Sequence, residues 1–131
     1  MASLLEYGVG LLSSTDAVDL NNAVAATSLY TVPAGKKCVV HKIVLRNLSA
    51  NATAATVTFG QVGALTDFLN TQTLSGLNAA AATGVLMSIP NATTVKAIEY
   101  TAAEIFQINV TVAAGIACTC TIDVYGSLAD A

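Results

Sequence analysis

Between residues 104 and 125 apolar and polar side chains alternate with a period of two. Phe106, Ile108, Val110 and Val112 are separated by Gln107, Asn109 and Thr111. Side chains two apart on an extended chain share a face, so this pattern predicts a strand with one face buried and one wet. Cys118, Cys120, Ile122 and Val124 repeat it against Thr119, Thr121, Asp123 and Tyr125. Ala113-Ala114-Gly115 between the two runs predicts a short hairpin loop, and Gly126 is expected to end the last strand. Further upstream, Tyr30-Thr31-Val32 leads into Pro33-Ala34-Gly35, a Pro/Gly turn, and then into a long strand over 36–46. Asn47 to Ala55 reads as a polar loop, after which Thr56–Gly60 is expected to pair back. Weaker strand signals lie near 66–73, 85–89 and 94–100, the last two punctuated by Pro90-Asn91. The alanine run Ala79–Ala82, bracketed by Gly76 and Gly84, is too short for a stable helix and reads as a loop.

About eight short strands with turn signals between them predict an all-β fold: a single β-sandwich, jelly-roll-like. No amphipathic helix is available to cover a parallel sheet, which excludes a βαβ architecture. Residues 26–131 are read as the sandwich. Residues 1–25 are set apart as an N-terminal strand or an extended arm. Their apolar positions, Leu4, Leu5, Tyr7, Val9, Leu11 and Leu12, suit either the first strand of the sandwich or an arm added to a neighbour's sheet edge.

Composition adds a second expectation. Of the 131 residues, 10% are charged and 54% hydrophobic, against about 25% charged in an average domain. A domain this small exposes most of its residues, so a surface short of charge suggests partners that cover part of it. Of five basic residues, Lys36, Lys37, Lys42 and Arg46 fall in one segment and Lys96 stands apart. That is too few for a nucleic-acid footprint, and a solvated strand face is the expected role. No stretch approaches the roughly 20 apolar residues of a membrane span. The first residues lack a basic n-region, which argues for synthesis in a cytoplasm. The three cysteines, Cys38, Cys118 and Cys120, are read as buried free thiols rather than a disulfide framework.

No catalytic set emerges. His41 sits between Val39 and Ile43 on its predicted face and reads as a core or interface histidine, since catalysis needs convergent partners. Gly8-Val9-Gly10 is not followed by a βαβ unit, so it is not a dinucleotide fingerprint. The eight carboxylates include no close pair within an apolar stretch. No cofactor or metal is expected: one distant histidine cannot complete a zinc set with Cys118 and Cys120. With no Trp and only Tyr7, Tyr30, Tyr100 and Tyr125 as amphipathic rings, a sugar-stacking platform has thin support.

The segment Leu29-Tyr30-Thr31-Val32-Pro33-Ala34-Gly35-Lys36-Lys37, followed by a strand and Arg46-Asn47-Leu48-Ser49-Ala50, resembles a module of small tailed-bacteriophage virion proteins. Val112-Ala113-Ala114-Gly115 and Ile122-Asp123-Val124-Tyr125-Gly126 are similar to the closing hairpin of the same proteins. The likeness covers about residues 28–60 and 104–126. It implies a β-sandwich displayed on a virion, without enzymatic activity: a capsid decoration (cement) protein, homo-oligomeric and often trimeric, bound to the major capsid protein. A neck, tail or head-fibre component is the alternative in the same class, and a glycan-binding host-attachment module the alternative from another. Leu4, Leu5, Tyr7, Leu11 and Leu12 are the expected docking residues. No nucleic acid or membrane partner is expected.

Overall fold

The computed structural model describes residues 8–23, 25–78, 85–87 and 99–131. Its strands are β1 (Gly10–Asp19), β2 (Ala25–Thr31), β3 (Lys36–Arg46), β4 (Thr56–Gln61), β5 (Ala64–Thr73), β6 (Val85–Met87), β7 (Glu99–Thr101), β8 (Ile105–Val112) and β9 (Thr119–Asp130). They form two antiparallel sheets. The first runs β1-β9-β3, with β6 and β7 both on the far side of β3; the second runs β2-β8-β4-β5. β6 pairs with Ile43–Leu45 and β7 with Lys37–Val39, so the two short strands share one edge position. Counted that way, each sheet has four strands and the chain alternates between sheets except at the β4–β5 hairpin. This is a jelly roll, the expected class.

The turn into β3 forms as its residues dictate. The Lys36 amide donates to the Pro33 carbonyl at 3.2 Å, and Gly35 takes φ +74°. A Pro-x-Gly turn of type II needs that positive φ at its third position, which glycine adopts without strain.

Three expectations about pairing are corrected. The runs at 105–112 and 119–130 are not a hairpin. β8 pairs with β2 and β4, and β9 pairs with β1 and β3. Their apolar stripes face the same core from opposite sheets, a relation that alternation alone does not distinguish from pairing. Thr56–Gly60 does not return to β3 but joins β5 and β8. β9 does not stop at Gly126; it continues to Asp130 beside β3. Gly126 is there because a Cβ would collide with the Val39 carbonyl oxygen and lie 2.8 Å from Leu12 Cδ1. The alanine run falls outside the described residues, as do parts of the 85–89 and 94–100 segments.

The core lies between the sheets. Cys38, Val40, Ile43, Leu45, Cys120, Ile122 and Val124 of the first meet Val57, Phe59, Phe106, Ile108 and Val110 of the second. Phe106 is the hub of the aromatic packing. Its ring stacks on Phe59 at 6.3 Å and takes Phe68 and Tyr100 edge-on at 5.4 and 5.6 Å, the offset and T-shaped geometries that ring quadrupoles favour. Tyr100 belongs to the first sheet, and its hydroxyl donates to Asp67 Oδ1 of β5 in the second at 2.8 Å. One hydrogen bond thus ties the sheets together.

A register shift between Val40 and Lys42 removes the core alternative for His41. Cys38 and Val40 point inward before it, Ile43 and Leu45 after it. The bulge inserts His41 and resets the phase by one residue. His41 is therefore not in the core: it is exposed and shares a 2.9 Å hydrogen bond with Ser127 Oγ.

Candidate docking surfaces

Once the strands are assigned to sheets, the two outer faces differ in chemistry. The first sheet carries an ionic face. Lys36 pairs with Asp130 at 2.7 Å, Lys37 with Glu99 at 3.6 Å, and Arg46 Nε with Asp123 Oδ2 at 2.7 Å. Asp123 lies on the outward side of a central strand yet is nearly buried, because its neighbours close over it. Arg46 Nη2 also donates to Oδ1 at 3.3 Å, and Ser14 Oγ donates to the same oxygen at 2.6 Å. The hydrogen bond from Arg46 holds the Asp123 carboxyl below the ordinary carboxylate value, with Ser14 adding to the effect against the cost of burial. Next to it Thr121 Oγ1 donates to Asp16 Oδ1 at 3.0 Å. The basic residues of β3 thus mostly face carboxylates of their own sheet, as a solvated strand face would.

The second sheet carries an uncharged face. β2, β4 and β8 contain no Asp, Glu, Lys or Arg, and β5 contains only Asp67. Asp67 turns to Tyr100 and to Gln61, whose amide nitrogen Nε2 donates to Oδ2 at 3.1 Å. Because Phe106, Ile108 and Val110 point inward, Gln107, Asn109 and Thr111 point out. Cross-strand register places Ser28 and Ala26 of β2 and Gly60 and Thr58 of β4 beside Gln107 and Asn109. Gln107 Nε2 donates to Ser28 Oγ at 3.2 Å. The Thr58 hydroxyl is buried and makes no hydrogen bond among the described residues. The face is one of amides, hydroxyls and small side chains, the charge-depleted composition of an interface core.

Of the expected docking residues, the two that are described, Leu11 and Leu12, do not share one face. Leu4, Leu5 and Tyr7 lie outside the described residues. Leu11 is 51% exposed, and its register partner is Tyr125 on the outer side of the first sheet. Leu12 falls at the shift between Leu11 and Ser13 and packs against the core instead. Residues 10–19 form β1 within the chain's own sheet, so at least this part of the N-terminal region is built into the sandwich. Sequence reasoning missed Tyr125 and Lys42 as neighbours of Leu11. Lys42 Nζ sits 4.6 Å from the centroid of the Tyr125 ring, a cation–π contact. Tyr125 was visible as a polar-side residue of its run; its partners depended on the β1–β9–β3 register.

The remaining chemistry is modest. Among the described residues no group of three His, Cys, Asp or Glu side chains is placed to hold a metal. The three cysteines are buried and unpaired as disulfides. Burial pushes the Cys38 thiol up to about 11 and Cys120 to about 12, so neither is a ready thiolate. Tyr100 is in the core, Tyr30 packs against it from the second sheet, and Tyr125 lies outside the first. These three tyrosines do not converge on a cleft.

No protein-family model and no curated protein sequence matches the chain. Two solved structures resemble it in fold. A chain of the cyanophage Pam1 capsid asymmetric unit superposes with a TM-score of 0.59 at 17% identity, over 92% of this chain and 83% of that one. A chain of the acid-stable capsid of Helicobacter pylori bacteriophage KHP30 gives 0.56 at 17% identity, over 92% of this chain and 91% of its own. At this identity the likeness shows a shared sandwich fold spanning nearly the whole of each chain.

Proposed function

We propose that this protein is a structural component of a bacteriophage virion, most specifically a capsid decoration protein that cements the head. The observation that carries the reading is its two-faced sandwich. One sheet presents an ionic surface, much of it paired, suited to solvent, the other an uncharged surface of amides and hydroxyls suited to burial. Two chains from phage capsid structures share the fold over most of their length. In this reading the uncharged face of β2, β8, β4 and β5 rests on the major capsid protein. Copies of the chain, three at a local symmetry axis, contact one another through the N-terminal residues Leu4, Leu5 and Tyr7 together with Leu11. Leu12 anchors β1 to the core beneath them. Each contact is small, and the array gains strength through multivalency.

The test uses heads assembled from the cognate major capsid protein without this chain. Added chain should co-sediment with the heads and raise the temperature at which they release DNA. An Asn109→Arg substitution, placing a charge at the centre of the uncharged face, should abolish that binding while leaving the isolated fold intact. Binding to neck or tail structures and not to heads would move the protein elsewhere on the virion. Binding to neither, with retention on host surface glycans, would replace the structural reading by the attachment one.

A further inference from the structure

Lys36, Lys37 and Arg46 each meet a carboxylate, but Lys42 does not: among the described residues its one specific contact is the Tyr125 ring. It stands in a row across three strands, Leu11 of β1, Tyr125 of β9 and Lys42 of β3, all on the outer face of the first sheet. Val44, half-buried, points out beside Lys42. On the far side of the bulge Val39 does the same. The result is an apolar strip with one uncompensated cation, unlike the rest of this face. With strands about 4.8 Å apart, the strip is about 10 Å long.

We propose that this strip binds the N-terminal segment of a second copy of the chain, with Glu6 of that copy on Lys42 and Leu4, on the same face of the extended segment, against Leu11 and Tyr125. The inference rests on the assembly reading above and names the partner of that surface. Two observations support it. The segment Leu4-Leu5-Glu6-Tyr7 has the complementary composition, one carboxylate within apolar residues. From first to last, four extended residues span about 10 Å, the length of the strip. Because the donor and acceptor surfaces differ, the contact is head-to-tail and closes into a ring when the rotation allows.

The experiment is a charge exchange on the full-length chain, read as solution mass by sedimentation velocity and light scattering. Wild type should associate, and raising salt to about 0.5 M should weaken the association by screening. Glu6→Lys and Lys42→Glu should each lower the association constant about tenfold or more, the Glu6→Lys/Lys42→Glu double variant should recover most of it, and an equimolar mixture of the two single variants should show heavier species than either alone. Lys42 is on the outward side of its strand, so unchanged circular dichroism and thermal midpoint should accompany the loss in Lys42→Glu. Association that is indifferent to both substitutions, or a wild type that stays monomeric across the concentration range, would overturn the inference. So would single variants that are rescued in one chain but never in the mixture, because that pattern places the contact within one molecule. Head binding separates the two ideas: if wild type and both variants cement heads equally well, the inference fails and the virion role stands.

Discussion

Tyr100→Phe isolates a single bond between the two sheets. The ring of Tyr100 is 1% exposed and packs edge-on against Phe106, and phenylalanine keeps that contact. What is lost is the hydroxyl that donates to Asp67 Oδ1 at 2.8 Å. A buried hydrogen bond to a charged acceptor contributes about 1.5–3 kcal/mol, and part of the cost of losing it is the poorer solvation left at the acceptor. Asp67 retains the Gln61 side-chain amide at 3.1 Å and the Gln61 backbone amide at 3.3 Å, which argues for the middle of that range, about 2 kcal/mol. For a domain of this length that corresponds to a fall of about 7 °C in thermal midpoint. Urea unfolding followed by far-UV circular dichroism, with the slope against denaturant unchanged, measures it directly. A second variant, Asp67→Asn, keeps an acceptor oxygen but removes the charge, and should cost less than Tyr100→Phe combined with it. A loss below about 0.5 kcal/mol in Tyr100→Phe would refute the view that this bond ties the sheets, and would put the cohesion of that end of the sandwich in the aromatic packing alone.

Gly126→Ala should destabilise by about 1–3 kcal/mol in the same unfolding assay, because its Cβ would be driven into the Val39 carbonyl while β9 is held on both sides by β1 and β3; an unchanged midpoint would mean that the strands separate there without cost. Acid should weaken the fold through Asp123. Its folded pKa is depressed relative to the unfolded chain, so its contribution is present above about pH 4 and is lost as pH falls below that value through the folded one. Asp123→Asn should accordingly show a flatter decline in stability between about pH 4.5 and 2, and an acid slope identical to wild type would remove the carboxylate from the account. Finally, the buried, desolvated thiols Cys38 and Cys120 should resist iodoacetamide at pH 8 in native protein and label fully in about 6 M guanidinium; rapid native labelling, read by intact mass, would mean that the sandwich opens far more often than its packing implies.

What the sequence disclosed was local. The bounds of β3 follow from its turn residues and its run of β-branched side chains, and the structure places it at Lys36–Arg46. The stripe Cys120, Ile122 and Val124 is buried as the alternation required. What the sequence concealed was pairing. In a jelly roll consecutive strands usually belong to opposite sheets, so Val110 and Cys120 can both face the core whether or not their strands touch, and a six-residue connection at 113–118 fits a hairpin or a crossing equally well. The bulge at His41 was hidden for a related reason: Val39, His41 and Ile43 are evenly spaced in sequence, and only the tertiary phase reveals that Val39 points out and Ile43 in.

The same blindness explains why the docking set was legible in part. Counting charges along the chain reveals a shortage, but not that nearly all of those described stand on one sheet. That asymmetry appears only when β2, β4, β5 and β8 are gathered together, and then a chain-wide deficit becomes a face. A uniformly charge-poor surface would precipitate or associate without direction, whereas a molecule with one ionic and one uncharged side can stay dispersed and still bury a defined area on assembly. The ionic side is moreover built largely from pairs within the sheet; among the described residues Lys42 and the β1 carboxylates Asp16 and Asp19 are its charges outside an ion pair. Specific association then has few places to occur: the uncharged face, which has no directionality of charge, and the Leu11–Tyr125–Lys42 strip, which has one. An assembly that needs both a broad seat and a fixed rotation about it requires one surface of each kind, and this sandwich carries them on opposite faces.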